Sequence, residues 1–220
     1  MRLFPNSASN SLITRYAIAC VALVSVLSLS TVANASPLVA GQTIYPAPGE
    51  PDPVGGQVAC GPLVQPFTTA NFSGVLTTTV IAGDVSNPYG GLTFTYVVSN
   101  DASSLNTQAR LSINGYAGFL TDASYQAPPA GVRPTLVDRS ASSDVVGFSF
   151  LGAPAGFGPI GPGQQSALLV VQTNATTCSN SVASVIDGAI ATIPTYAPAP
   201  EPASLTLLGL AALALIRRRR

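Results

Sequence analysis

The chain has no histidine and no tryptophan. All nine of its basic residues are arginine, so lysine is absent too, and only 8% of its 220 residues are charged. Without histidine there is no Ser-His-Asp triad, no Cys-His pair and no imidazole metal ligand. Without lysine there is no phosphate-binding P-loop and no Schiff base. A Gly-x-Ser-x-Gly nucleophile elbow is also missing. Long apolar runs are confined to the two ends, and between them no window has the 3.6-residue period of an amphipathic helix.

The N-terminal end reads as an export signal. Arg2 and Arg15 are its only charges, Tyr16–Ser30 is an apolar run, and Ala33-Asn34-Ala35 is a small-x-small cleavage site before Ser36. Residues 1–35 are therefore expected to be a signal peptide that takes Cys20 with it.

The C-terminal end runs Pro200-Glu201-Pro202, then the uncharged stretch Ala203–Ile216, then Arg217, Arg218, Arg219 and Arg220. Leu and Ala favour a helix, and its uniformly apolar faces do not suit a soluble amphipathic one. At 1.5 Å per residue it reaches about 21 Å, short of about 30 Å of hydrocarbon, but snorkelling arginines extend the span and mark a cytoplasmic end. Residues 200–220 resemble the PEP-CTERM sorting signal: the triplet, the short apolar helix and the basic cluster stand in order at the end of the chain. The resemblance implies processing near Pro200–Pro202 by an exosortase, a membrane-embedded protease. It also implies a precursor anchored in the inner membrane, and delivery to the cell surface or extracellular matrix of a Gram-negative bacterium that makes exopolysaccharide. A plain C-terminal membrane anchor is the alternative.

Between Ser36 and Pro202 three arginines face nine carboxylates, a net charge of −6, which gives no footprint for nucleic acid. Cys60 and Cys178 lie near the two ends of this region, and export favours their oxidation to a disulfide. Free buried thiols are the alternative.

The organisation expected is a Pro/Gly-rich lead-in at 36–56 with one short strand at Gln42–Tyr45, a folded domain at 57–193 and a Pro/Ala spacer at 194–199. The domain alternates with period two. Leu92, Phe94, Tyr96 and Val98 share one face; Phe72–Ile81, Ala109–Gly115, Val146–Phe150, Ser166–Thr173 and Val182–Ile193 repeat the pattern. Turn chemistry separates them at 87–91, 100–101, 126–131 and 152–163. Seven to nine short strands predict an all-β fold: a single β-sandwich, Ig-like or jelly-roll, between the signal peptide and the C-terminal helix.

Few residues in the domain carry chemistry. Asp84, Asn87, Asn100 and Asp101 sit in neighbouring turns and are weak Ca²⁺ candidates, because oxygen ligands in sandwich loops suit that ion. Asp122, Asp138 and Asp144 fall in a stretch read as rich in loops; a glycosidase needs such a carboxylate pair, although isolated aspartates usually cap backbone amides. Gly156–Gly161 fits a dinucleotide fingerprint letter for letter, but Pro159 and Pro162 interrupt the helix it needs. Tyr89, Tyr116, Phe119 and Tyr125 are the aromatics available for a sugar-binding face. The expected role is non-enzymatic and without a cofactor: a structural or adhesive protein of the exopolysaccharide (biofilm) layer, with exosortase and the membrane as partners. A carbohydrate-binding module, or a glycosidase using aspartate pairs, is the alternative.

Overall fold

In a computed structural model the chain is described over residues 37–46, 55–126, 130–152 and 157–199. The cleavage-site residues Ala33, Ala35 and Ser36, the triplet Pro200–Pro202, the stretch Ala203–Ile216 and Arg217–Arg220 lie outside the described residues.

Among the described residues there are eleven strands and no helix. They are β1 (Thr43–Ile44), β2 (Gln57–Thr68), β3 (Ser73–Ala82), β4 (Thr93–Asn100), β5 (Arg110–Ile113), β6 (Thr121–Tyr125), β7 (Leu136–Arg139), β8 (Val146–Ser149), β9 (Leu169–Thr173), β10 (Cys178–Ile186) and β11 (Ile190–Pro198). They form two open antiparallel sheets, ordered β2-β3-β4-β9-β6 and β1-β7-β8-β5-β10-β11.

Period-two alternation builds the core. In β3, Leu76 and Val80 point inward; in β4, Phe94, Tyr96 and Val98 do so. From the other sheet Leu111, Ile113, Val137, Val146, Phe148, Val185 and Ile193 complete one continuous hydrophobic cluster. β9 is buried along its whole length between β4 and β6, as its unbroken Leu/Val run requires. Close packing also dictates one glycine. A Cβ on Gly147 would stand 2.0 Å from the Arg110 guanidinium, which crosses over it to pair with Asp138.

The short strand expected at Gln42–Tyr45 is present as β1, with Thr43 paired to Asp138; Leu38 ahead of it is buried, and its N–H donates to Thr121 O at 2.7 Å. Four placements differ from the sequence reading. β2, with Gly61-Pro62 (a cis bond) and Pro66, β6, with Asp122, and β7, with Asp138, were not visible as strands. Residues 194–198, read as spacer, belong to β11, which pairs with β10 from Ile190 to Pro198. Pro194 and Pro198 are tolerated there because β11 is an edge strand, where a missing N–H need not break a second ladder.

Candidate functional site

The cysteines are joined. Cys60 in β2 and Cys178 at the start of β10 form a disulfide with Cα atoms 6.8 Å apart and a sequence separation of 118. The bond crosses from the edge strand of one sheet to the other sheet, beside the line where β11 runs along β2. Two polar contacts stitch the same line. Thr78 and Thr195 share a buried hydroxyl hydrogen bond of 2.7 Å, and the Tyr96 hydroxyl donates to Tyr196 O at 2.8 Å. Tyr96 also meets the Tyr116 hydroxyl at 2.7 Å. Burial raises the pKa of both phenols well above the ordinary value; the hydrogen bond from Tyr116 partly offsets this for Tyr96, while charge repulsion from Tyr96 adds to it for Tyr116. Both stay protonated and neutral, so this line carries no charge.

β11 leads straight to the tail. Pro198 is in register with Cys178, and the Ala199 N–H donates to Thr177 O at 3.0 Å. The next residue in sequence is Pro200.

The four weak calcium candidates divide into two groups. Asp84 and Asn87 stand at the start of β4. Asp84 Oδ1 accepts from the Ser86 N–H and hydroxyl, and Oδ2 accepts from the Thr93 hydroxyl at 2.7 Å. Asn87 Nδ2 reaches the carbonyls of Gly91 and Thr173, both at 3.0 Å. Asn100 and Asp101 stand at the other end of β4, about 23 Å along at 3.3 Å per residue. Asn100 Nδ2 donates to Asn106 O and Ile160 O, and Asp101 Oδ2 accepts from the Ser73 hydroxyl. These oxygens fasten loops, which is the usual work of Asp and Asn in turns. Among the described residues no three acids or cysteines cluster as a metal site would require.

The carboxylates considered for catalysis have separate partners. Asp122 lies in β6 rather than in a loop, is 8% exposed and accepts from the Ala123 N–H at 2.9 Å. Burial raises its pKa and that hydrogen bond lowers it, with burial the larger effect. Asp138 in β7 takes a two-pronged contact from Arg110, at 2.6 and 2.8 Å. Asp144 accepts from the Gly115 N–H at 3.2 Å. Of the aromatics, Tyr116 and Tyr125 are in the core, and Tyr89 and Phe119 are partly exposed.

The fingerprint-like segment borders an open cleft of about 460 Å³, lined by Gly131, Val132, Phe157, Pro159, Gln164 and Gln165. Arg133 lies over the Phe157 ring, 4.2 Å from its centre. No helix follows Gly161: the Gly161 N–H meets Gln164 Oε1, and Ile160 bridges to Gln108.

Sequence reading missed Arg139. It is 6% exposed, yet its guanidinium donates to Leu38 O, Tyr116 O, Phe119 O and Ser143 O at 2.8–3.1 Å. Burial lowers its pKa. Nothing local in Leu136–Arg139 marks it, because its partners come from segments up to 101 residues away.

No curated protein and no solved structure matches the chain. One family model does match, over residues 198–220, which begin in the last residue of β11. That motif implies exosortase-dependent export through a membrane-anchored precursor to the cell surface. The C-terminal tail of this chain is a PEP-CTERM protein-sorting motif.

Proposed function

We propose that this is a non-enzymatic surface or matrix protein: a single β-sandwich, exported by a signal peptide at 1–35, sorted by exosortase at Pro200–Pro202 and released into the exopolysaccharide layer of a Gram-negative bacterium. The observation that carries the reading is the matched tail at 198–220, directly after an all-β domain with one cysteine bridge. A core drawn from both sheets supports the sandwich, and the bridge suits an oxidising compartment. Arg217–Arg220 stay cytoplasmic, since moving an arginine into hydrocarbon costs at least about 2.5–3.5 kcal/mol. A structural role is supported by the chemistry present: histidine and lysine are absent, and Asp122, Asp138 and Asp144 each have their own partner.

The test is expression of the full chain in an exosortase-bearing host, with surface and membrane fractions examined by mass spectrometry. The surface form is expected to begin at Ser36 and to lack Arg217–Arg220. Deleting Pro200–Pro202 is expected to leave a full-length, membrane-held protein. A deletion variant trimmed and released like the natural chain refutes the reading.

Carbohydrate binding is the second reading, and the Phe157 cleft is what favours it. Its lining offers an aromatic ring, backed by Arg133, and two glutamines, groups of the kind that bind sugars. A glycan pull-down in which Phe157→Ala loses the captured polymer supports it; capture unchanged by the substitution removes the cleft from consideration.

A further inference from the structure

We propose that the folded domain withholds its own sorting site, so that the C-terminal end of β11 has to peel away from β10 before the tail is processed. This rests on the exosortase reading above and concerns the regulation of that same site.

The motif and the sheet overlap. The matched segment begins at residue 198, and Pro198 is still paired with Cys178. Among the described residues the last hydrogen bond, from the Ala199 N–H to Thr177 O, lies one residue before Pro200. There is no linker. Three residues of chain reach at most about 11 Å beyond Ala199.

A protease takes its substrate as an extended strand, pairing the backbone and seating side chains on both sides of the bond it breaks. On the N-terminal side of Pro200 these groups are already engaged. Thr195 and Ala197 are fully buried, Pro198 is buried, and Tyr196 O accepts from the Tyr96 hydroxyl. An enzyme groove that extends upstream of Pro200 therefore competes with the sheet for the same residues. The strand being peeled is an edge strand, so one ladder opens and the rest of the sheet stays. The template it leaves is held directly opposite Pro198 by the Cys60–Cys178 bond, which keeps the start of β10 in place for β11 to close on again.

The consequence is kinetic. Local opening of a strand end lies between fraying and global unfolding in free energy, and the fraction of time spent open scales the processing rate. The experiment is a pulse-chase of the full chain in an exosortase-bearing host, following conversion of precursor to trimmed protein. A ten-residue Gly/Ser linker inserted between Ala199 and Pro200 leaves β11 intact and lets the triplet reach a groove alone. It is expected to raise the rate by about tenfold, the scale of one or two backbone hydrogen bonds and a buried contact. Cys60→Ser/Cys178→Ser, which loosens the template, is expected to raise it by a smaller factor of about three. A faster linker variant supports the proposal even where the cysteine variant folds poorly. A linker variant processed at the natural rate, while a Pro200–Pro202 deletion stays unprocessed, overturns the proposal and leaves the sorting reading standing. A deletion variant processed normally overturns both.

Discussion

Where β11 meets β2 the two sheets are joined by a covalent bond and neutral hydroxyls; where the Leu38 segment meets β6 a buried cation gathers the loops around the contact. The first seam has Cys60–Cys178, Thr78–Thr195 and the Tyr96–Tyr196 contact. The second has the Leu38 N–H on Thr121 O, and Arg139 holding carbonyls of three separate segments. Both solve the same problem, that open sheets leave edges whose polar groups need partners. They differ in what disturbs them. The covalent seam responds to reductant and is indifferent to charge. The cationic seam has no response to reductant, and its weakness is that one guanidinium serves four acceptors. The seam next to the sorting tail is the covalent one.

The largest expected effect tests that difference. Cys60→Ser/Cys178→Ser removes a bond that closes a long loop, worth about 4–5 kcal/mol on the chain-entropy model and about 10–15 °C in Tm. Hydrogen exchange is expected to show a larger loss of protection along β10 and β11 than along β1 and β6, which share only the global loss. Equal loss at both seams removes the distinction between them.

Next comes Arg139→Met. It keeps the apolar stem and leaves four carbonyls, of Leu38, Tyr116, Phe119 and Ser143, without their donor. The expected cost is about 3 kcal/mol, since buried acceptors lose their partner with no compensation. Denaturant melts measure it, and the exchange pattern is expected to mirror the previous one, with the Leu38 segment and the start of β6 opening first.

Tyr96→Phe sharpens the comparison within the first seam. It deprives Tyr196 O of its donor and Tyr116 of its hydroxyl partner, at about 1.5 kcal/mol. Adding Tyr116→Phe is expected to cost less than the sum of the two single changes, because one shared contact cannot be lost twice. Additive losses show that the two hydroxyls act independently.

The seams also mark the limit of what the sequence shows. β4, β5 and β8 were legible because Phe94, Tyr96, Leu111, Ile113, Val146 and Phe148 alternate with smaller or polar neighbours. β2 and the second half of β11 were not, because Gly61-Pro62, Pro66, Pro194 and Pro198 are turn chemistry everywhere except at an edge, and being at an edge is a tertiary fact. In β11 the signal was present beneath the prolines: Ala191, Ile193, Thr195 and Ala197 alternate inward. The disulfide was readable from cysteine count and export alone. Arg139 was not, since its carbonyl partners are backbone atoms that no side-chain pattern announces. The sorting motif was legible because its triplet, apolar stretch and basic cluster stand in order in the sequence itself.

The smallest effect belongs to Asp122, which lies on the cationic side in β6 next to Thr121. Its carboxyl is nearly buried, and loss of solvent raises its pKa above the ordinary 3.8, against the pull of the Ala123 N–H. A raised value means that the folded protein holds this proton more tightly than the unfolded chain. Stability from this group is therefore fully present at acid pH and is lost as pH rises from about 3.8 through the raised value. At neutral pH the fold carries a poorly solvated carboxylate. Asp122→Asn keeps an oxygen for the Ala123 N–H and removes the charge, so it is expected to raise Tm modestly at pH 7 and to leave it unchanged near pH 3. The neutral seam across the domain has no such group, since Tyr96 and Tyr116 stay protonated throughout this range. Thermal melts of the natural chain and the Asn variant, taken in steps from pH 3 to pH 7, decide the matter. A difference that grows toward acid pH reverses the sign, and places Asp122 among carboxylates the fold stabilises in charged form.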